Sequence, residues 1–355
     1  MTRMHGLTKI VVYSLIATLA IIASVYLSWW LQSRLMLRAA RRRKVRATRR
    51  RLWADPGEVE RLDFASGPGG RDGAPLAPFR FVAEHSTGSS PCLSVEDARG
   101  RTWRVKWGDE VKSETFATRL AWAAGYFVER AHYVAEGVIE GDYELTRARG
   151  CVNEECKFRD ARFELDEAGV RKLFDEHGWS WDDNPFAGTH ELAGLKIMLM
   201  LTSNWDNKDV RDVARGSNTA IFEHRLADGT IEARYLDIDW GASMGRWGDP
   251  FTRSKWDCEG YAAQTPEFVT GVEGGVVKWG YVGQRTDDAR EGITVADVRW
   301  LYNYVGRITD DQLRAGLRAS GATEAEVGCF TRAIRARIER LGRVCEMSDA
   351  GLREG

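Results

Sequence analysis

Four polar residues in one region of the chain have the types and order that phosphoryl transfer requires. Asp206 and Lys208 lie in Asn204-Trp205-Asp206-Asn207-Lys208, Asn218 follows, and Asp239 stands in Tyr235-Leu236-Asp237-Ile238-Asp239-Trp240-Gly241. The reaction needs a carboxylate to accept or orient the attacking hydroxyl and a cation beside the transferring phosphoryl. It also needs an amide and a carboxylate to hold Mg²⁺. Asp206, Lys208, Asn218 and Asp239 would fill those roles in that order. Asp209 and Asp237 compete for the carboxylate roles. Asp237 falls at the end of a strand-like run, on the face opposite the loop position that follows, and so Asp239 is preferred.

These residues need elements to hold them. Thr189 to Leu201 reads as a buried helix opened by a Thr cap and leading straight into Asn204. Downstream, 218–222 and 233–238 are strand-like runs joined by the hairpin signal Ala227-Asp228-Gly229-Thr230. A nucleotide's phosphates call for a further cation upstream, steadied by a carboxylate. Arg101 to Trp107 alternates as a strand carrying Lys106, and 113–125 reads as a helix with a Ser113 cap, Glu114 in its first turn and a Gly125 stop. Lys106 would neutralise the α and β phosphates, with Glu114 holding it in place.

Lys106, Glu114, the Asp206-Asn207-Lys208 loop, Asn218 and Asp239-Trp240-Gly241-Ala242-Ser243-Met244-Gly245 together resemble the divergent bacterial HipA and phosphoinositide-kinase-like branch of the protein-kinase superfamily. More closely, they look like an uncharacterised membrane-associated family with an Asn-Trp-Asp-x-Lys loop and an Asp-x-Gly-Ala-Ser-x-Gly element. The resemblance covers about Phe79 to Leu341. It implies an α+β, two-lobed kinase-like fold, with a small β-rich lobe over 77–145 and a mostly helical lobe over 146–345, and a site for ATP and Mg²⁺ between them. Two features depart from the family. Asp206 to Asn218 is twelve residues where such kinases use about five, so 210–217 must form an insertion. In the turn before Lys106, Ser86-Thr87-Gly88-Ser89-Ser90-Pro91-Cys92 looks like the HipA-type Gly-x-x-Pro-Lys loop with Cys92 in place of the lysine. Gly88, Ser89 and Ser90 can still cradle phosphate through their N–H groups.

The 355 residues, 43% of them hydrophobic, suffice for one two-lobed domain with appendages. The amino-terminal part is different material. Residues 10–33 carry no charge, and 10–31 would span roughly 33 Å as a helix, enough for a bilayer core. Trp29 and Trp30 stand at its end. After a short tail over 1–9 and this span come ten positive charges from Arg34 to Arg51, against Arg3 and Lys9 before it. That asymmetry places the following domain in the cytoplasm, and the bacterial resemblance then implies the inner membrane. A cleaved signal peptide is the rival reading, but the segment is long and its basic residues lie on the wrong side.

Through Trp53 the chain has 12 basic and no acidic residues, so the remainder carries a net charge of −13. A basic stalk over 34–64 would meet anionic lipid headgroups, whereas the acidic domain opposes nucleic acid. Residues 65–76 read as a Gly/Pro linker and 346–355 as a tail. The six cysteines show no zinc spacing and read as free thiols of a reducing compartment, with a Cys151–Cys156 bond left open. The scattered histidines argue against a metallohydrolase. Three capping-box starts, at Thr294, Thr309 and Thr323, open carboxy-terminal helices, and 251–283 reads as irregular. Three function classes follow: a phosphotransferase on an unknown acceptor, a pseudokinase that scaffolds at the membrane, and a membrane-tethered adaptor without catalysis.

Overall fold

The computed structural model describes residues 18, 20, 21, 23, 24, 27, 28, 30, 47–86, 90–173, 178–181, 183–206, 218–249, 251–283 and 287–351. By its contacts the chain divides into two units, Met1–Arg46 and Ala47–Gly355. The expected membrane span falls in the first. Its described members, among them Thr18, Ile21, Leu27 and Trp30, are helical, and the rest of 10–33 lies outside the described residues. Among the described residues, no helix is long and apolar enough to cross a membrane.

The second unit is α+β, as expected. Strands β2 (Phe79–His85), β3 (Cys92–Glu96), β4 (Thr102–Lys106), β5 (Ala131–Glu140) and β6 (Lys157–Leu165) close into a barrel in the order β2-β3-β4-β6-β5. Helix α1 (Val111–Ala123) leaves the third strand and leads to the fourth. Alternation decides what each strand buries. Trp103, Val105 and Phe163 point into a core with Leu93, Val95 and Phe158, while Arg104, Lys106, Arg162 and Glu164 occupy the other face. The barrel closes only with β6, beyond the lobe boundary read at 145, because 141–156 is an excursion within the β5–β6 hairpin.

A second sheet runs β1-β9-β8-β7, from β1 (Arg49–Arg51), β7 (Arg171–Leu173), β8 (Thr219–Arg225) and β9 (Ile231–Asp237). Helix α2 (His190–Leu201) precedes β8 in the chain, and its Thr189 cap accepts from Leu192 N–H as the sequence suggests. The irregular reading of 251–283 needs correction. The segment holds α3 (Cys258–Ala263) and the hairpin β10 (Gly271–Glu273) with β11 (Val276–Lys278), which are too short to show a period. After α4 (Asp287–Arg290) come α5 (Val295–Val305), α6 (Asp310–Ala319) and α7 (Glu324–Gly351), with the capping boxes at Thr294, Thr309 and Thr323 formed.

The stretch read as stalk and linker is packed from residue 47 onward. β1 pairs parallel with β9, Arg49 and Arg51 each lie 3.6 Å from buried Glu232, and Trp53 donates to Ala124 O at 2.7 Å. Gln312 donates to Val59 O and Leu62 O, and Arg101 to Asp72 O and Ala74 O. Residues 51–63 hold no α-helix. The segment is strand, bridge and a single 3₁₀ turn (Val59–Arg61), and it buries Leu52 and Val59.

Candidate functional site

Helix α2 buries its whole last turn, Met198 to Leu201, and ends in a turn that aims the chain at Asn204. Its last carbonyls lie in the core and take several donors: Met200 O accepts from Ser203 N at 3.1 Å and Leu201 O from the Tyr261 hydroxyl at 2.6 Å. Arg337 of α7, 1% exposed, donates to Met200 O and Leu201 O at 3.1 Å, to Tyr261 O at 2.8 Å and to Ser203 Oγ at 2.7 Å. A cation at a helix carboxy terminus also meets the negative end of the macrodipole. Ser203 then adopts φ 53°, reversing the chain. Residues 202–205 run beside 242–244, with Trp205 N donating to Ala242 O at 3.1 Å and Met244 N to Thr202 O at 2.8 Å.

This pairing brings the two motif segments together, and Asn204 ties them. Fully buried, it donates from Nδ2 to Asp239 O at 2.7 Å, while its Oδ1 accepts from Asp206 N at 3.4 Å and its carbonyl from the Tyr281 hydroxyl. Asn218 adds a second tie. Its Nδ2 donates to Asp206 O at 2.7 Å, and its own carbonyl accepts from Ile238 N at 3.0 Å. The twelve-residue spacing therefore does not separate these stations: Asn218 touches the segment of Asp206 and the strand end that leads to Asp239. Lys208 and Asp209 lie outside the described residues, as do Gly88 and Ser89 of the expected phosphate turn. Ser90 is half-buried, and Cys92 stands directly across the ladder from Lys106.

The half-buried Asp239 carboxylate accepts from Gly241 N at 3.2 Å. Burial and the nearby Glu110 carboxylate push its pKa up, against the Gly241 N–H, Lys106 and Arg162. Glu110 comes this close because residue 241 is glycine. A Cβ there would stand 2.8–2.9 Å from Glu110 side-chain atoms, and the Ser113 hydroxyl donates to Gly241 O at 2.7 Å. Gly245 is as constrained, since a Cβ would meet Ser254 O at 2.2 Å. The amino end of α1 is thus seated on the Asp-x-Gly element. The helix starts at Val111, two residues before the expected Ser113 cap, and the Ser113 hydroxyl serves this contact instead.

On the barrel side, the expected Lys106–Glu114 pair is not formed. Arg162 of β6, opposite Lys106 in the ladder, holds Glu114 through Nη1 and Glu164 through Nη2, the latter at 2.8 Å. Arg162 is 1% exposed, and its fork fits two carboxylates where a lysine would meet one. Lys106 stays half-buried opposite Arg162, where its charge works against the rise of the Asp239 pKa and helps lower that of Glu164. Burial and Glu164 push the Glu129 carboxyl pKa well up, whereas Arg162, Lys106 and Arg104 hold that of Glu164 down against its burial. Arg162 and Glu164 stand two apart on the polar face of an alternating strand, and that was the one sequence signal for them.

Asn218 and Asp239 offer an amide oxygen and a carboxylate, hard donors suited to Mg²⁺ completed by phosphate and water. The raised Asp239 pKa follows from burial and the neighbouring Glu110 carboxylate, and a cation bound beside Asp239 would favour its ionised form. Among the described residues no group of three or more His, Cys, Asp or Glu could hold a metal. A cavity of about 1030 Å³ opens by Trp107, Val138, Cys151 and Asn153, and none of Lys106, Asp206, Asn218 or Asp239 lines it.

The free-thiol expectation needs correction. Cys258 at the start of α3 and Cys329 on α7 form a disulfide, with Cα atoms 6.2 Å apart and a separation of 71 positions in the chain. Cys151 and Cys156 are both free. The bond follows from the packing of α3 on α7, which no spacing in the sequence announces.

No protein-family model and no curated protein sequence matches the chain. Among solved structures, the chain is similar to the Rio2 kinase–ADP/Mg²⁺–phosphoaspartate complex from Chaetomium thermophilum, at 16% identity and a TM-score of 0.30, over 73% of this chain and 72% of that one. It is also similar to the Golgi casein kinase, at 9% identity and a TM-score of 0.34, over 82% of this chain and 77% of that one. The same kinase with Mn/ADP bound gives 9% and 0.34, over 82% and 76%.

Proposed function

We propose that the domain is a kinase-type phosphotransferase using ATP and Mg²⁺. The observation that carries the reading is the double tie of Asn218, to Asp206 O on one side and to Ile238 N, next to Asp239, on the other. In this reading Asp206 orients and deprotonates the acceptor hydroxyl, and Lys208 steadies the transferring phosphoryl. Lys106 sits on the α and β phosphates, and the N–H groups of Gly88, Ser89 and Ser90 close over them. Mg²⁺, held by Asn218 and Asp239, would supply charge neutralisation across the phosphates. Asn204 fixes the distance between the two carboxylate segments, which preorganises the site before substrate enters.

The test is incubation of the purified full-length chain with γ-labelled ATP and Mg²⁺. Label transfer or release of phosphate that is lost in Asp206→Asn and Asp239→Ala supports the reading. Equal turnover in those variants contradicts it. A nucleotide-binding scaffold without turnover is the second reading, favoured by Cys92 standing across from Lys106 where the family's turn carries a lysine. It predicts MgATP binding with no label transfer.

The acceptor, the membrane span over 10–33 and the contact of the arginines from 34 to 46 with anionic lipid belong to the same proposal. The free-thiol support for a cytoplasmic domain falls with the Cys258–Cys329 bond, since disulfides persist mainly in oxidising compartments. Labelling with a membrane-impermeant reagent on intact and opened cells would report which side the domain occupies.

A further inference from the structure

Between the barrel and α1 lies a buried charge cluster in which the expected partners have been exchanged. Arg162 bridges Glu114 of α1 and Glu164 of its own strand, and all three side chains are nearly or fully buried. Lys106 occupies the neighbouring ladder position and makes no ion pair with Glu114. At this end of α1 the Ser113 hydroxyl donates to Gly241 O of the Asp-x-Gly element, and Glu110, just before the helix, pairs with Lys255 at 2.5 Å.

We propose, on the basis of the phosphotransferase reading, that Arg162 is the positioning residue of the nucleotide site: by gripping Glu114 it sets α1 against Gly241 and leaves Lys106 uncommitted for phosphate. The division of labour follows from side-chain chemistry. A guanidinium donates along two directions at once, so it can lock a helix to a strand with two carboxylates, and it stays charged when buried. A lysine ammonium is a single charge on a flexible stem, better kept for a ligand that comes and goes. Holding Glu114 with Arg162 removes the competition between that glutamate and nucleotide for Lys106. It also links the barrel to the metal side, because α1, once set by Glu114, fixes how closely Ser113 and Glu110 approach Gly241 and Asp239. Arg162 acts through other residues and touches no substrate.

The experiment measures MgATP affinity by calorimetry, and melting temperature without nucleotide, on the full-length chain. The set is wild type, Lys106→Ala, Arg162→Lys, Arg162→Met, Glu114→Gln, and Arg162→Lys combined with Lys106→Ala. Arg162→Lys retains charge and is included because Arg162→Met, with two carboxylates stranded, is the variant at risk of not folding. The expected result is a loss of at least tenfold in MgATP affinity for Arg162→Lys and for Glu114→Gln. Lys106→Ala should cost tenfold or more in the wild-type background and less than threefold in Arg162→Lys, since a displaced α1 no longer presents the lysine correctly. A structural role alone would lower the melting temperature of the Arg162 variants while leaving MgATP affinity and the Lys106 effect intact, and that outcome overturns the proposal. Wild type that binds MgATP, with Arg162→Lys within twofold of it, overturns this inference alone. Wild type that binds no MgATP overturns the phosphotransferase reading together with it.

Discussion

Arg162 beneath the barrel strands and Arg337 beneath the loop of Asp206 are both 1% exposed, yet they are satisfied in opposite ways. Arg162 meets two carboxylates, Glu114 and Glu164. Arg337 meets three carbonyls, two hydroxyls and the face of Tyr261, its carbon 3.7 Å from the ring centroid. Burial alone moves the Arg337 pKa down. The barrel side of the site is thus held by matched charges and the loop side by dipoles and geometry. Charges respond to protonation, whereas carbonyls do not, so the two sides should fail differently when their arginines are removed.

The largest effect is expected from Arg162→Met, which strands two buried carboxylates and should cost roughly 3–5 kcal/mol at neutral pH. Part of that loss should return in acid. With the cation gone, the carboxyl pKa values rise above their unfolded values, so the variant loses stability as pH rises through them and regains it as they protonate. Urea unfolding of wild type and variant at two pH values measures this difference. Next comes removal of the Cys258–Cys329 bond, which closes a loop of 71 residues on the loop side, by Cys258→Ser or by reduction. The chain-entropy argument gives about 4 kcal/mol, read as a lower urea midpoint. Arg337→Met should cost about 3 kcal/mol through the charge-assisted hydrogen bonds lost at the end of α2, whose carbonyls keep their other donors, with the same loss at both pH values. A pH-dependent Arg337 effect, or a flat Arg162 effect, would erase the contrast between the two sides.

The smallest effect concerns Asp97, at the edge of the barrel. Burial raises its pKa, but hydrogen bonds from Arg101, Trp103 Nε1 and the Arg99 and Arg101 amides outweigh this and hold it at about 2. A carboxyl lowered in the folded state contributes stability above its unfolded value near 3.8 and loses it as pH falls toward about 2. Asp97→Asn should therefore cost about 2 kcal/mol at neutral pH and flatten acid unfolding across that window.

What the sequence revealed was local. The Thr189 cap, the apolar run to Leu201 and the turn signal at Asp228-Gly229 each depend on residues within a few positions, and α2 and the β8–β9 hairpin formed where they indicated. Lys106 on the third barrel strand and Glu114 on the next helix were legible for the same reason. Their pairing was not. Glu114 finds Arg162, 48 positions away, because a ladder register chose which cation lies under α1. Cys258 with Cys329, and Arg337 with the end of α2, are set by helix packing across 71 and 136–137 positions, distances at which no periodicity carries information. Residues 47–76 looked like stalk and linker because Arg, Gly and Pro dominate their composition. Yet a few apolar residues and many backbone groups sufficed to seat them on the domain.

In the proposed function Asn218 and Asp239 serve one cation despite the long loop between Asp206 and Asn218. Thermal shift of the full-length chain by ATP, with Mg²⁺ and with chelator, on wild type and Asn218→Ala tests it directly. Wild type should gain a clear additional stabilisation when Mg²⁺ accompanies ATP, and Asn218→Ala should lose that Mg²⁺-dependent increment while keeping the Mg²⁺-free shift. An unchanged increment in Asn218→Ala, or none in wild type, would contradict it.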